Sequence, residues 1–246
     1  MPSLLCVVAH PDDETMFCGG TLALLAARGV AVHLVCLTRG EGGELGEPPM
    51  CAREELGEVR ERELVQAVGK LGGKSLTFLG YVDPVVGPDD TLSAPEHDPL
   101  MLAGQIVNCI KQFAPEVVLT HGSDGEYGHP AHVLMHTSVL AAVASLKESA
   151  PMLYSFAAAY PTHPYPRLAN ASDAADVVVD VSAVLDKKEA AALCHATQTA
   201  LFVRCRSEQA GRPLSVREIL LAEESFHRHW PSEAVSDDAF HNWLNL

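Results

Sequence analysis

The chain has 246 residues, and its 32 aspartates and glutamates outnumber 17 lysines and arginines, which gives a formal net charge of −15 at pH 7. Hydrophobic residues make up 48% of the sequence and charged residues 20%, a composition that excludes an intrinsically disordered chain. The acidic balance argues against nucleic-acid binding and against docking on an anionic membrane, because both need clustered lysine and arginine.

Seven cysteines are scattered along the chain without any Cys-x-x-Cys pair, so neither a disulfide framework nor a cysteine-based zinc site is predicted. Thiols of this kind are typical of a reducing compartment. The apolar run near the N-terminus is too short for a signal peptide, and no apolar stretch approaches the roughly 18 residues of a membrane span. We therefore expect a soluble, cytoplasmic protein.

The first third of the chain alternates predicted strands and helices. Leu4–Ala9 is a continuous apolar run typical of a strand buried on both faces, and a helix of small residues is predicted over Thr15–Arg28. A second buried strand is predicted over Val30–Leu37 and a charged amphipathic helix over Cys51–Leu71. The glycine-rich and proline-rich residues 40–49 indicate a loop between them.

The middle of the chain continues the same alternation. Strands are predicted over Thr77–Tyr81 and Glu116–Thr120, separated by a proline-rich loop at 82–99 and a helix near 100–113. A longer helix is predicted to start after the next proline and to cover 130–147.

The last third is predicted to contain two strands, Leu153–Ala159 and Val177–Val181, followed by two helices. The helices are predicted over Ser182–Thr199, with Ser182 as the N-cap, and over Val216–Phe226.

The alternation of strands and helices predicts an α/β fold with a mostly parallel sheet flanked by helices, which is a three-layer, Rossmann-like arrangement. No linker or repeat divides the chain, so we predict one domain over residues 1–246, with the tail from about 201 to 246 the least defined part. Ligands of such sheets bind at the carboxyl ends of the strands. The residues that follow the first, second and fourth strands are therefore the candidate site.

The first of these segments is Ala-His-Pro-Asp-Asp-Glu, residues 9–14. His10 and Asp13 are spaced so that an imidazole nitrogen and a carboxylate oxygen could hold one divalent ion such as zinc. Asp12 would lie beside the ion, where a base acting on an activated water is needed. The alternative is a solvated turn whose acidic residues cap the following helix.

The segment after the fourth strand holds four histidines within 16 residues: His121, His129, His132 and His136. His129 precedes a proline and is expected on a loop, whereas His132 falls in the first turn of the predicted helix. His132 could therefore join His10 and Asp13 as a third ligand, or pair with His136 one helical turn away. The first option is favoured, and His121 and His136 are interpreted as hydrogen-bonded structural histidines.

The segment after the second strand, residues 38–46, is rich in glycine but lacks the Gly-x-Gly-x-x-Gly spacing of a dinucleotide site. It runs into two prolines instead of opening a helix. We interpret it as a mobile loop that borders the site, with Arg39 as a candidate substrate contact.

These motifs resemble those of the PIG-L (LmbE-like) family of zinc-dependent N-acetylglucosaminyl deacetylases. The family's Ala-His-Pro-Asp-Asp-Glu stands unchanged at residues 9–14, and its His-Pro-Asp-His stands here as His-Pro-Ala-His at 129–132. Weaker similarity follows in family order to about residue 200, and the Glu-x-Phe at 224–226 resembles the family's closing motif. The resemblance implies an LmbE-like fold.

The resemblance also implies zinc bound by three residues: His10, Asp13 and His132. A site of this type also accepts Fe²⁺. The family's general base falls on Asp12, and its residue that stabilises the oxyanion or protonates the leaving amine falls on His129. Tyr127 stands where some members of the family carry a tyrosine that assists the tetrahedral intermediate.

Ala131 is the departure from the family. The aspartate expected at this position orients and tunes the neighbouring imidazole, so its loss puts the orientation and pKa of His129 in question more than it does the binding of zinc.

The predicted function is hydrolysis of the N-acetyl group of an N-acetylglucosamine-type sugar or glucosamine conjugate, with a small molecule as the partner and a homo-oligomer left open. An alternative is an amidase or deacylase that acts on another N-acyl conjugate, such as a thiol conjugate or an antibiotic. A further alternative is a catalytically impaired protein that binds metal or sugar, because of Ala131.

Overall fold

A seven-stranded sheet forms the middle layer of the protein in a computed structural model, which describes residues 1–233 and 236–245. The strand order is β3-β2-β1-β4-β5-β9-β8, and β6 and β7 form a separate two-stranded sheet. The strands are β1 (Ser3–Val8), β2 (Ala31–Thr38), β3 (Ser75–Tyr81), β4 (Val117–Thr120), β5 (Met152–Phe156), β6 (Ala158–Ala159), β7 (Asn170–Ala174), β8 (Val177–Asp180) and β9 (Glu223–Trp230).

The first five strands of the large sheet are parallel, as the alternation of strands and helices predicted. β1 lies at the centre and is buried along its whole length. Its alternate residues face two different apolar clusters, with Leu4 in one and Leu5 in the other. β9 runs antiparallel to both β5 and β8. The predicted α/β fold with a mostly parallel sheet is therefore confirmed.

Helices cover both faces of the sheet. The helices are α1 (Asp13–Ala27), α2 (Leu56–Leu71), α3 (Pro99–Phe113), α4 (Gly125–Gly128), α5 (Pro130–Ser145), α6 (Leu185–Ala192), α7 (Ala196–Ala210), α8 (Val216–Ile219) and α9 (Ala239–Leu244). One apolar cluster packs α1, α2, α6 and α9 against the sheet, and the other packs α3 and α5 on the opposite face. Among the described residues, no helix is long and apolar enough to cross a membrane.

Two predicted helices in the last third of the chain are wrong in part. The prediction over Val216–Phe226 fails because α8 ends at Ile219 and the chain then enters β9. Phe226 is fully buried and pairs with Phe156 of β5, so contacts with distant strands override the local helical pattern. The strand β7 was not predicted either.

The predicted helix over Ser182–Thr199 is divided into α6 and α7. The break places His195 in the interior, where its Nε2 lies 3.0 Å from a carboxylate oxygen of Glu14. Ser182 is not a helix N-cap; its N–H donates to Asp180, and a short 3-10 turn precedes α6.

A buried ion pair joins the C-terminal strand to the helix that follows β1. Glu224 of β9 accepts hydrogen bonds from the backbone N–H groups of Gly20 and Thr21, at 2.8 and 2.7 Å. Lys188 of α6 donates to the same carboxylate at 2.7 Å, and both side chains are fully buried. Glu224 therefore anchors α1 and α6 together.

Candidate metal centre

The candidate site lies where β1 and β4 end, at the carboxyl edge of the sheet. α1 begins at Asp13, so a single turn separates the end of β1 from this helix. Asp12 occupies that turn with φ of 114° and ψ of −29°. L-residues rarely adopt this conformation, which costs about 1–3 kcal/mol and is typical of functional sites. The Asp12 N–H donates to a Glu14 carboxylate oxygen at 3.0 Å, which holds the turn.

His10, Asp13 and His132 come together at this edge. The His10 N–H donates to Asp13 Oδ2 at 2.8 Å, and Asp13 Oδ1 lies 3.3 Å from His132 Nε2. The Nε2 atoms of His10 and His132 are buried, and each lies close to a carboxylate oxygen, of Asp83 and Asp13 respectively, without forming a hydrogen bond. Such unpaired buried nitrogens are costly, and imidazole nitrogen with carboxylate oxygen is a donor set that zinc accepts. The residues present therefore fit a divalent cation.

The electrostatics of the site also favour a cation. Burial lowers the pKa of His10, but the carboxylates of Asp13 and Asp83 outweigh this effect and raise it to about 9. Burial raises the pKa of Asp13, but His132 and His121 lower it well below its usual value. The site thus keeps its carboxylates ionised and attracts positive charge onto the imidazoles, where a bound metal would displace protons.

Asp12 is held beside these ligands by a buried arginine. Arg60 Nη2 donates to Asp12 Oδ2 at 2.8 Å and to the Pro11 carbonyl at 2.6 Å, and its Nη1 donates to the Gly40 carbonyl at 2.8 Å. Burial raises the pKa of Asp12 to about 7, although Arg60 opposes this shift. A carboxylate with a pKa near neutrality, fixed in one orientation, is suited to proton transfer.

His129 precedes α5 and lies against the ligand histidines. Its ring stacks on that of His132, with centroids 4.5 Å apart, and meets that of His10 at 4.8 Å. The Ala131 N–H donates to His129 Nδ1 at 3.2 Å, so the neutral ring carries its hydrogen on Nε2. Burial, together with His10 and His132, lowers the pKa of His129 to about 3. His129 is therefore a neutral hydrogen-bond donor.

Tyr127 lies at the mouth of the site and is 52% exposed. Its ring centroid is 5.5 Å from that of His132 and 5.7 Å from that of His129. A hydroxyl group in this place can meet a bound molecule from the solvent side.

The two histidines interpreted as structural are hydrogen-bonded. His121 Nε2 accepts the Ala9 N–H at 3.0 Å, and His136 Nδ1 donates to the His121 carbonyl at 3.0 Å. The His136 ring packs against His229, with centroids 4.8 Å apart. Among the described residues, two groups of possible ligand atoms overlap at His132: one with His10 and His129, the other with Asp13 and His121. The choice of His10, Asp13 and His132 as the ligands stays a prediction.

Arg39 lies on the loop after β2, where its Nε is 3.2 Å from Glu41 and its Nη1 is 3.7 Å from Glu61. Its role as a substrate contact stays a prediction. The loop itself is tied to α7, because Gln198 Nε2 donates to the Glu44 carbonyl at 2.7 Å. The mobility of this loop stays a prediction.

The sequence interpretation did not assign roles to four buried side chains around the site: Arg60, Asp83, Glu126 and His195. Arg60 and Asp83 come from distant elements, and no spacing in the motifs connects them to Asp12 or His10. Asp83 Oδ1 lies 3.2 Å from His10 Nε2. Asp83 and His195 both lie within the stretch of weaker family similarity, which was the signal available for them.

Comparisons with known proteins show similarity in both sequence and fold. The sequence profile of PIG-L, described as GlcNAc-PI de-N-acetylase, matches residues 5–143. A 1D-myo-inositol 2-acetamido-2-deoxy-alpha-D-glucopyranoside deacetylase of Mycobacterium sp. (strain KMS) is 34% identical over 239 residues, covering 84% of this chain and 77% of that protein.

Two solved structures share the fold. GalB, the 4-carboxy-2-hydroxymuconate hydratase of Pseudomonas putida KT2440, has a TM-score of 0.64 at 24% identity, with 97% of this chain and 100% of that chain covered. The N,N'-diacetylchitobiose deacetylase of Pyrococcus horikoshii has a TM-score of 0.61 at 21% identity, with 92% and 83% covered. Because the family profile covers more than half of the chain and includes both histidine motifs, the chain belongs to the PIG-L family of N-deacetylases.

Proposed function

We propose that the protein hydrolyses the N-acetyl group of an N-acetylglucosamine-type conjugate, with a divalent metal held by His10, Asp13 and His132. The observation that carries this proposal is the pair of buried Nε2 atoms without a hydrogen bond, that of His132 beside Asp13 and that of His10 beside Asp83. Zinc is the metal we propose, and Fe²⁺ is accepted by the same donors. A metal bound there supplies a Lewis acid that lowers the pKa of a water molecule towards about 7.

Asp12, beside the proposed ligands, carries out both proton transfers of the proposed reaction. Asp12, fixed by Arg60, takes a proton from the attacking water as the carbon–oxygen bond forms at the acetyl carbonyl. The carbon–nitrogen bond then breaks, and the proton passes from Asp12 to the leaving amine, so that acetate and a free amine are released. This sequence uses the pKa of Asp12 near neutrality in both directions.

His129 stabilises the charge that develops on the carbonyl oxygen. Its Nε2–H is fixed by the bond from Ala131 to Nδ1, so the donor is oriented before the substrate arrives. Tyr127 adds a second donor from the mouth of the site. Losing one donor of this kind typically lowers the rate by about 10²–10³.

The substrate we propose first is an N-acetylglucosaminyl inositol, the compound named for the mycobacterial relative. Three acidic side chains line the site: Asp12, Asp13 and Asp83. Their negative charge disfavours a heavily phosphorylated sugar, and their oxygens can accept hydrogen bonds from sugar hydroxyl groups. Arg39 is the candidate substrate contact from the loop after β2.

All seven cysteines are free, which supports a reducing compartment such as the cytoplasm. A homo-oligomer stays a prediction, for light scattering to test.

The test is acetate release by protein that has been stripped of metal, reloaded with zinc and assayed for metal content. We expect turnover of N-acetylglucosaminyl inositol and less turnover of free N-acetylglucosamine. Faster hydrolysis of a thiol-conjugate amide or of an N-acylated glycopeptide would replace the proposed substrate with another N-acyl conjugate. Stoichiometric zinc and sugar binding without acetate release would instead indicate a binding protein.

A further inference from the structure

The orientation of the proposed ligand His132 depends on what its Nδ1 contacts, and the neighbouring residue 131 is alanine, without a carboxylate. Ala131 is fully buried in the apolar cluster between the sheet, α3 and α5, among residues such as Val7 and Met135. An aspartate at this position would therefore place its carboxylate among apolar side chains. Another buried carboxylate, that of Glu126, comes from the loop between β4 and α5.

Both oxygens of Glu126 are occupied by hydrogen bonds. Oε2 lies 2.6 Å from His132 Nδ1 and 3.0 Å from His121 Nδ1. Oε1 accepts from the Gly122 N–H at 3.0 Å and from Asn170 Nδ2 at 3.2 Å. The Glu126 side chain is fully buried, so these four donors take the place of water.

These contacts decide which nitrogen of His132 is free. Because Nδ1 gives its hydrogen to Glu126, the lone pair of a neutral ring is on Nε2, the atom that is buried beside Asp13 without a partner. His121 has the same tautomer for an independent reason, since its Nε2 accepts the Ala9 N–H. Glu126 therefore faces two Nδ1–H donors and acts as a bridge between them.

The backbone of Glu126 is strained. Its φ of 59° and ψ of −82° lie near a γ-turn conformation that is rare for L-residues. A conformation of this kind costs about 1–3 kcal/mol and persists only where surrounding contacts hold it. The Glu126 N–H donates to Asn170 Oδ1 at 2.9 Å, so the same asparagine holds both the backbone and the side chain.

We propose that Glu126 is a positioning residue that sets the tautomer and orientation of the ligand His132, in a protein whose second motif lacks the family's carboxylate. The inference rests on the proposed metal site. Partners of this kind fix the ring of a ligand histidine and raise its basicity, and their loss typically weakens metal binding about 10–100-fold.

The main experiment compares the zinc affinity of wild-type protein with that of Glu126→Gln, by competition with a chelator of known affinity. A glutamine side chain has only one oxygen, so it cannot accept from both Nδ1–H groups and from the Gly122 N–H at once. Its NH2 group must then face at least one other N–H donor, which is unfavourable. We expect zinc binding to weaken about 10–100-fold. Affinity within twofold of the wild-type value would overturn the proposal.

Two further variants distinguish the effect of losing the Glu126 carboxylate from the effect of changing the conformation of its segment. Glu126→Gly relieves the backbone strain and removes the carboxylate, so we expect weak zinc binding in a protein that is at least as well folded as Glu126→Gln. Asp173→Asn is the matched control, because Asp173 accepts from Ser123 in the same loop without contacting His132. Equal weakening in Asp173→Asn would show that only loop order matters, and would overturn the direct role.

A spectroscopic readout tests the tautomer itself. Long-range ¹H–¹⁵N spectra of the zinc-loaded protein should show a proton on Nδ1 of His132 in the wild type, with a shifted or missing signal in Glu126→Gln. An unchanged His132 signal in the variant would contradict the proposal.

The failure of this inference can be told apart from failure of the proposed function. A wild-type protein that binds zinc tightly but releases no acetate would remove the deacetylase proposal and leave the role of Glu126 intact. A protein that releases acetate and binds zinc equally well with and without the Glu126 carboxylate would do the reverse.

Discussion

The two segments that build the metal centre differ in how they are held. The first, residues 9–14, matches the family motif without change and is fixed from outside, by Arg60 on Asp12 and by His195 on Glu14. The second, residues 121–132, departs from the motif; its Glu126 bridges two histidines of the same segment, and Asn170 holds Glu126 from outside.

The proposed ligands of the two segments are thus supported by different kinds of contact. In the first segment, the ligand Asp13 lies on α1, a helix clamped at Gly20 and Thr21. In the second, the ligand His132 depends on a strained loop residue. We therefore expect substitution of Asp12 in the first segment to act mainly on chemistry, and substitution of Glu126 in the second to act on how the site is shaped.

The largest expected effect comes from Asp12→Asn in the first segment. Loss of the base should lower acetate release by about 10²–10⁴-fold. Zinc content, measured by elemental analysis, should stay at the wild-type level, because Asp12 is not among the three proposed ligands. Glu63→Gln is a suitable control, since Glu63 is a buried carboxylate bonded to Thr197 away from the ligands. Full activity in Asp12→Asn would remove the assigned base.

Ala131→Asp restores the family residue in the second segment and tests whether that segment has been rebuilt around its loss. The new carboxylate would lie in an apolar cluster, and an uncompensated buried charge costs about 3–5 kcal/mol. We expect this loss in the free energy of unfolding, measured by urea denaturation. If Ala131→Asp is as stable as the wild type, the new carboxylate must find a hydrogen-bond partner. The second segment would then still accommodate the family's aspartate, as the first accommodates its unchanged motif.

His129→Ala should lower kcat by about 10²–10³-fold through the loss of an oxyanion donor. His129→Gln, which keeps an N–H group, should recover part of this loss. The KM for substrate should change less than kcat in both variants. A change confined to KM would assign His129 to substrate binding and not to catalysis.

The smallest expected effect concerns the support of the second segment at low pH. Burial raises the pKa of Asp173, but hydrogen bonds from His229 and Ser123 lower it below its usual value. A lowered pKa stabilises the folded state above the unfolded value, near about 4, and this contribution is lost as the pH falls further. The stability gap between wild type and Asp173→Asn should be about 1.5–3 kcal/mol at neutral pH and should shrink below about pH 4. A gap that widens on acidification would contradict this sign.

The parallel strands and the first motif could be predicted because their signals are local. Leu4–Ala9 is apolar without interruption, and the motif that follows it is specific to one family. β9 could not be predicted in this way, since its pairing with β5 and β8 depends on residues 43 to 77 positions away. The first residues of β9 also fitted the helix that was predicted over Val216–Phe226.

The supporting residues of the site were missed for a related reason. Arg60 reaches Asp12 from the middle of α2, and nothing in the spacing between them indicates the contact. Glu126 lies only six positions before His132, but its contact depends on a positive φ that a sequence pattern does not reveal for a glutamate. Both contacts are properties of the folded backbone.

The clamp of Glu224 on α1 has a consequence for the order in which the protein is made. The helix that carries Asp13 leaves the ribosome early, whereas Glu224, which binds the amides of Gly20 and Thr21, is synthesised about 200 residues later. Until β9 has emerged, Lys188 has no carboxylate partner at this position and α1 is not anchored to it. The first motif is thus the earliest part of the site to be translated, but its helix α1 gains the Glu224 hydrogen bonds only after β9 has been synthesised.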